Sequence, residues 1–164
     1  MPRKSATLMN ALDSQCGIAR SLGVFSDSWS FLLLREALFG KRTFAQFRDA
    51  LGIASDVLST RLNTLVEHGV LERVPYQEQG QRTRDAYQLT AAGNELKLVL
   101  VAMQQWGEAN VPHERGVSML PVARASQERV RAVLVDASGV NVPHEDVDFV
   151  RVGDSAATQA AAPY

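Results

Sequence analysis

One cysteine, Cys16, and three scattered histidines, His68, His113 and His144, are all the thiol and imidazole groups in 164 residues. A lone thiol excludes an internal disulfide framework, and histidines so placed lack the ligand spacing of a zinc site. No metal and no cofactor are expected. Long apolar runs are missing too, since no segment approaches the roughly 18 apolar residues of a membrane span. The start, MPRKSATLMNALDS, has a basic pair but not the apolar stretch and small cleavage residues of a secretory signal. The reading is of a cytoplasmic protein with no membrane partner. There is no glycine-rich phosphate loop, no G-x-S-x-G elbow and no recognisable carboxylate pair, so the chain is not expected to be an enzyme. Thiol peroxidase chemistry at Cys16 would need a partner base or resolving thiol, and no local candidate stands out. Charge of one sign is also lacking. A net charge of −1 does not supply the overwhelming positive field of a generic nucleic-acid coat protein.

What is present is an ordinary globular composition, 46% apolar and 21% charged, enough for one domain with an appendage. Charge is unevenly spread: residues 41–84 hold seven basic residues against five acidic, and residues 113–164 five against seven. Asp27 precedes SWSFLLLREALFG, whose apolar residues recur at helical spacing until Gly40. Thr43 and Gln46 form the T-x-x-Q of a capping box ahead of Phe44, Phe47 and Leu51, and this second helix ends near Gly52. Ser55 is placed to cap a third helix, in which Leu58, Leu62 and Leu65 form one stripe before a left-handed stop at Gly69.

After Gly69 the period changes to two in VLERVPYQ and again in RDAYQLT, with EQGQRT between them, which predicts a β-hairpin. Thr90 then caps AAGNELKLVLVAMQQWGEANV, a single long helix with a stripe of Leu96, Val99, Leu100, Met103 and Trp106, ended by Pro112. Helix, short helix, helix, basic-tipped hairpin and long helix is the order of a winged helix-turn-helix: a mainly α fold with a small β-hairpin wing. The domain reading is an N-terminal arm at 1–15, the winged helix-turn-helix at 16–113, an extension at 114–153 and a disordered tail at 154–164. In the extension, ERVRAVLVD, an Asp136-Ala137-Ser138-Gly139 turn and VDFVRV read as a second small hairpin.

Each residue of a helix advances about 100°, so Asp56, Ser59, Thr60, Asn63 and Glu67 project opposite the leucine stripe. Asp56, Ser59, Thr60 and Asn63 are the candidates for reading base edges in a major groove. None is a cation. Phosphate attraction is therefore assigned to Lys41, Arg42, the helix starts at Thr43 and Ser55, and Arg82 and Arg84 on the wing. Arg61, at the edge of the stripe, reads equally as a structural ion pair or a phosphate contact. Leu96, Leu100, Met103 and Trp106 are assigned to a dimer interface or to an effector pocket between subunits. Cys16, in the first turn of a helix capped by Ser14 and one turn from Arg20, reads either as a small packing residue or as a redox-sensitive thiol.

Three segments carry a family resemblance: Cys16-x-Ile18-Ala19 with Asp27-x-Trp29 downstream, the third-helix pattern L-S-x-R-L-x-x-L from Leu58 to Leu65, and Y-x-L-T-x-x-G from Tyr87 to Gly93. Together they resemble the HxlR-type transcription regulators, a branch of the MarR-like winged-helix group. The resemblance covers roughly residues 16–113. It implies a homodimer that binds double-stranded operator DNA, with the first and last helices forming the dimer interface. In several such regulators a cysteine near the start of the first helix senses oxidants or electrophiles, and a small aromatic ligand is a further effector class. Gly17 departs from the pattern, since many relatives have proline there. The rival reading is a winged helix that binds a protein partner without DNA.

Overall fold

The computed structural model describes residues 10–77 and 82–151. Most of the expected N-terminal arm, the centre of the wing turn around Gly80 and the expected disordered tail lie outside the described residues. The chain divides into two units, Met1–Gly116 and Val117–Tyr164.

The first unit runs through a 3-10 turn at Ala11–Asp13, then α1 (Gly17–Val24), α2 (Ser28–Leu38), α3 (Phe44–Leu51), α4 (Ser55–Glu67), β1 (Leu71–Tyr76), β2 (Arg84–Leu89), α5 (Ala91–Glu95) and α6 (Lys97–Asn110). Its local signals act where the sequence puts them. The Asp27 side chain accepts from Ser30 N at 3.3 Å at the start of α2. Thr43 and Gln46 form both halves of the capping box of α3. Gly52 ends α3 at φ +61°, a left-handed conformation that costs a glycine little. Ser55 departs from its expected role: Ala54 occupies the cap position of α4 without a side-chain bond, and Ser55 is the first helical residue.

The core lies where these helices meet the sheet. Leu33, Leu34, Phe47, Leu58, Leu62, Leu65 and Leu71 are fully buried, each such side chain contributing about 1.5–3 kcal/mol relative to exposure. The two strands are antiparallel, with Leu71 opposite Leu89, Arg73 opposite Tyr87 and Tyr76 opposite Arg84. A short extended segment before α3 joins the same sheet, through a bridge of Thr43 to Ala86 and a 2.7 Å bond from Tyr87 N to Arg42 O.

The long last helix is interrupted. Thr90 caps α5 by accepting from Gly93 N at 3.0 Å, while its hydroxyl donates to Gly69 O at 2.6 Å. This binds the start of α5 to the turn before β1. At Leu96 a ψ of −8° leaves ideal helix geometry, and α6 sets off afresh. The bend also divides the expected apolar stripe: Leu96 and Leu100 pack against the domain's own core, and Val99, Met103 and Trp106 stay exposed. No helix among the described residues is long and apolar enough to cross a membrane.

In the second unit, β3 (Leu134–Val135) pairs with β4 (Asn141–Val142) around the expected turn. Asp136 Oδ1 accepts from Ser138 N at 2.8 Å and Val140 N at 3.0 Å, closing the turn at once. The partner strand is therefore the segment next to the turn and not VDFVRV, whose described residues 147–151 form no strand and whose Phe149 is exposed.

Candidate nucleic-acid interface

The inward leucines of α4 hold its opposite face to solvent. Asp56, Ser59 and Thr60 are exposed and Asn63 is half-buried. Thr60 has its hydroxyl turned back on its own helix, donating to Asp56 O at 2.9 Å, so outward it offers lone pairs and a methyl group. Asn63 Oδ1 accepts from Arg73 Nη2 of β1 at 2.5 Å. That arginine escaped the sequence reading, although period-two alternation puts it on the face of the sheet that carries buried Leu71, toward the helices.

The basic corner before α3 and the wing are brought together by the sheet. Exposed Arg42 and half-buried Lys41 precede Thr43, which bridges β2, while Arg82 and Arg84 stand exposed at the wing's outer end. Between them a cleft of about 320 Å³ is lined by Arg42, Thr43, Gln46, Val74, Tyr76 and Gln88. The start of α3 offers fewer amides to an anion than expected, because Gln46 Oε1 already accepts from Arg42 N and Thr43 N at 2.8 and 3.0 Å. Arg61 is drawn inward: its Nε lies 2.8 Å from Asp27 Oδ2, though the N–H is not aimed at the oxygen. This pair ties α4 to the start of α2. Of the two readings of Arg61, the ion pair is the one with a partner in the structure.

Cys16 is exposed and occupies the cap position before α1, one residue earlier than the expected first turn. The Ser14 hydroxyl accepts from the Cys16 amide itself at 3.1 Å and does not cap the helix interior. Arg20 is committed to main-chain carbonyls, donating to Ser14 O at 2.7 Å and Gln15 O at 3.0 Å.

The family model for HxlR-like helix-turn-helix proteins matches residues 24–115, from the end of α1 through α6. The chain belongs to this family. As an HxlR-like protein it has a MarR-like winged helix. It is 41% identical over 99 residues to the uncharacterized HTH-type transcriptional regulator Rv3095 of Mycobacterium tuberculosis, covering 60% of this chain and 61% of that protein. The crystal structure of PA1607, a candidate transcription factor, superposes with a TM-score of 0.75 at 35% identity, covering 87% of this chain and 99% of that one. So wide a coverage exceeds the HxlR match and extends into the second unit. The reduced redox regulator HypR superposes with a TM-score of 0.53 at 27% identity, over 58% of this chain and 94% of its own. Cys16 precedes the residues matched by the family model.

Proposed function

We propose that this HxlR-like protein binds operator DNA as a homodimer, with α4 in the major groove, Arg82 and Arg84 on flanking phosphates, and Lys41 and Arg42 at the other side of the helix-turn-helix. The carrying observation is that the polar outer face of α4 and the cations of the corner and wing belong to one compact unit. Ser55, released from capping, is assigned to the backbone as well. In a symmetric dimer two such helices must stand about 34 Å apart to enter successive major grooves. The partner surface is the apolar face of α1 and α6, where Ile18, Leu22, Val99, Met103 and Trp106 are exposed. Isolated exposed apolar residues are common, but this many on two helices of one domain suit an isologous contact.

A gel-shift titration against the DNA upstream of the protein's own reading frame, repeated over a range of salt, tests the reading. Arg82→Ala and Arg84→Ala are each expected to weaken binding to all sequences alike and to lower the salt slope by about one. A retained slope would move both arginines off the phosphates, and failure of the wild type to shift any DNA would leave the protein-binding reading of the fold.

The regulatory input is assigned to oxidants or electrophiles acting at Cys16. An accessible thiol at the border of α1 supports this, as does the likeness to HypR, a redox regulator. With one thiol per chain, the stable products are an intersubunit disulfide, a mixed disulfide or an adduct, each altering the α1 surface that the dimer would use. Wild type is expected to lose or change operator affinity after peroxide or quinone treatment, and Cys16→Ser to keep it. Equal responses of the two proteins would make Cys16 a packing residue and shift sensing to a ligand bound between α1 and α6.

A further inference from the structure

We infer that the second unit, Val117–Tyr164, is a surface that docks on its own copy: across the two-fold axis of the homodimer Arg124 and Arg131 meet Glu145, Asp146 and Asp148 of the second copy, and the apolar side chains between them close against their counterparts. The inference rests on the homodimer proposed above, held by α1 and α6, and adds a second contact to it. Its first observation is that no residue of 117–151 is buried. Eleven large apolar residues there are exposed in the single chain, Val133, Leu134, Val135, Val140, Phe149 and Val150 among them. Isolated exposed apolar residues are ordinary, but this density in so short a segment marks a surface that a partner covers. Both faces of the β3–β4 hairpin are involved, because Val133 and Val135 alternate with Leu134 along the chain. A hairpin with strands this short is marginal by itself, and a unit of this size is usually held by a disulfide, a metal or association. Cys16, the single thiol of the chain, belongs to the first unit, and no group of metal-binding side chains occurs among the described residues. Association is what remains.

Charge selects the occupant. Residues 117–131 hold Arg124, Arg129 and Arg131 against Glu128, whereas residues 132–150 hold Asp136, Glu145, Asp146 and Asp148 with no lysine or arginine. Asp136 closes its own turn, which leaves Glu145, Asp146 and Asp148 as the acidic end. An isologous contact sets a surface against the same surface turned by half a revolution, so a face with one basic and one acidic end is complementary to itself. The chain's own last segment cannot cover it, since Val152 and Tyr164 are the only large apolar residues of 152–164. Exposed ion pairs are weak singly, so this contact does not hold two chains alone; it adds to the dimer once α1 and α6 have brought the copies together.

Sedimentation of the full-length protein over a dilution series at low salt tests the pairing. Arg124→Glu with Arg131→Glu makes both ends acidic, and Glu145→Lys, Asp146→Lys and Asp148→Lys together make both ends basic. All five side chains are exposed, so the core is untouched. Each variant alone is expected to dimerise about tenfold more weakly than wild type, because like charges then face each other. An equimolar mixture of the two is expected to recover the wild-type affinity as the heterodimer, in which opposite ends meet again. Variants that each dimerise as tightly as wild type would overturn the inference. Weakened variants whose mixture is no tighter would overturn it too, because the charges would then act within one chain or on the first unit. A wild type that stays monomeric at micromolar concentration would overturn the homodimer reading itself, and with it the contact that rests on it.

Discussion

Gly93→Ala is expected to cost the first unit about 3 kcal/mol, lowering its melting temperature by roughly 12 °C or more. A Cβ built on Gly93 would overlap the carbonyl oxygen of Val70 and crowd Leu89 Cδ2 at 3.0 Å. The side chain of a flexible neighbour could move aside, but this carbonyl is held by Thr90 N at 3.2 Å and stands between Gly69 and β1. Relief would therefore require shifting α5 away from the sheet and breaking the Thr90 cap. Helix propensity alone predicts the opposite sign, since alanine is favoured over glycine by about 1 kcal/mol in a helix interior. A thermal melt distinguishes the two. An alanine variant as stable as the wild type would show that α5 can lift off the sheet freely.

The paired substitution Met103→Glu with Trp106→Glu is expected to give a folded monomer whose operator affinity falls at least 100-fold. Both side chains lie on α6 with large exposure, 48% for Met103 and 65% for Trp106, so the fold of one chain does not depend on them. In the proposed interface they would bring four carboxylates of two subunits into an apolar contact, where unpaired charge is strongly unfavourable. Loss of the dimer removes the second half-site contact, which through effective concentration is worth roughly 10²–10⁴ in affinity. Sedimentation at micromolar concentration, with circular dichroism to show that the helices remain formed, is the check. A variant that stays dimeric would move the interface off this face of α6. Leu96 and Leu100 do not belong in the same experiment, because they pack partly buried against the domain's own core and their substitution would also destabilise the fold.

The same distinction separates what could be read from the chain from what required its fold. The capping box of Thr43 and Gln46, the Asp27 and Thr90 caps and the left-handed glycines at 40, 52 and 69 were legible because each depends on groups within a few residues. The buried stripe of Leu58, Leu62 and Leu65 was legible because helix periodicity alone puts them on one side. The order of elements, and with it the winged helix-turn-helix, follows from the same local signals. Other features depend on where a second segment comes to rest. Arg61 is at the edge of its helix in any sequence reading, and only the arrival of Asp27 beside it makes it an internal ion pair. Leu100 and Met103 belong to one apolar stripe, yet the bend at Leu96 sends one to the core and leaves the other in solvent. Asn63 carries both a donor and an acceptor as a residue type. The tertiary structure sets Arg73 against its oxygen and so decides how the amide is oriented, because the partner comes from a strand that helix periodicity does not locate.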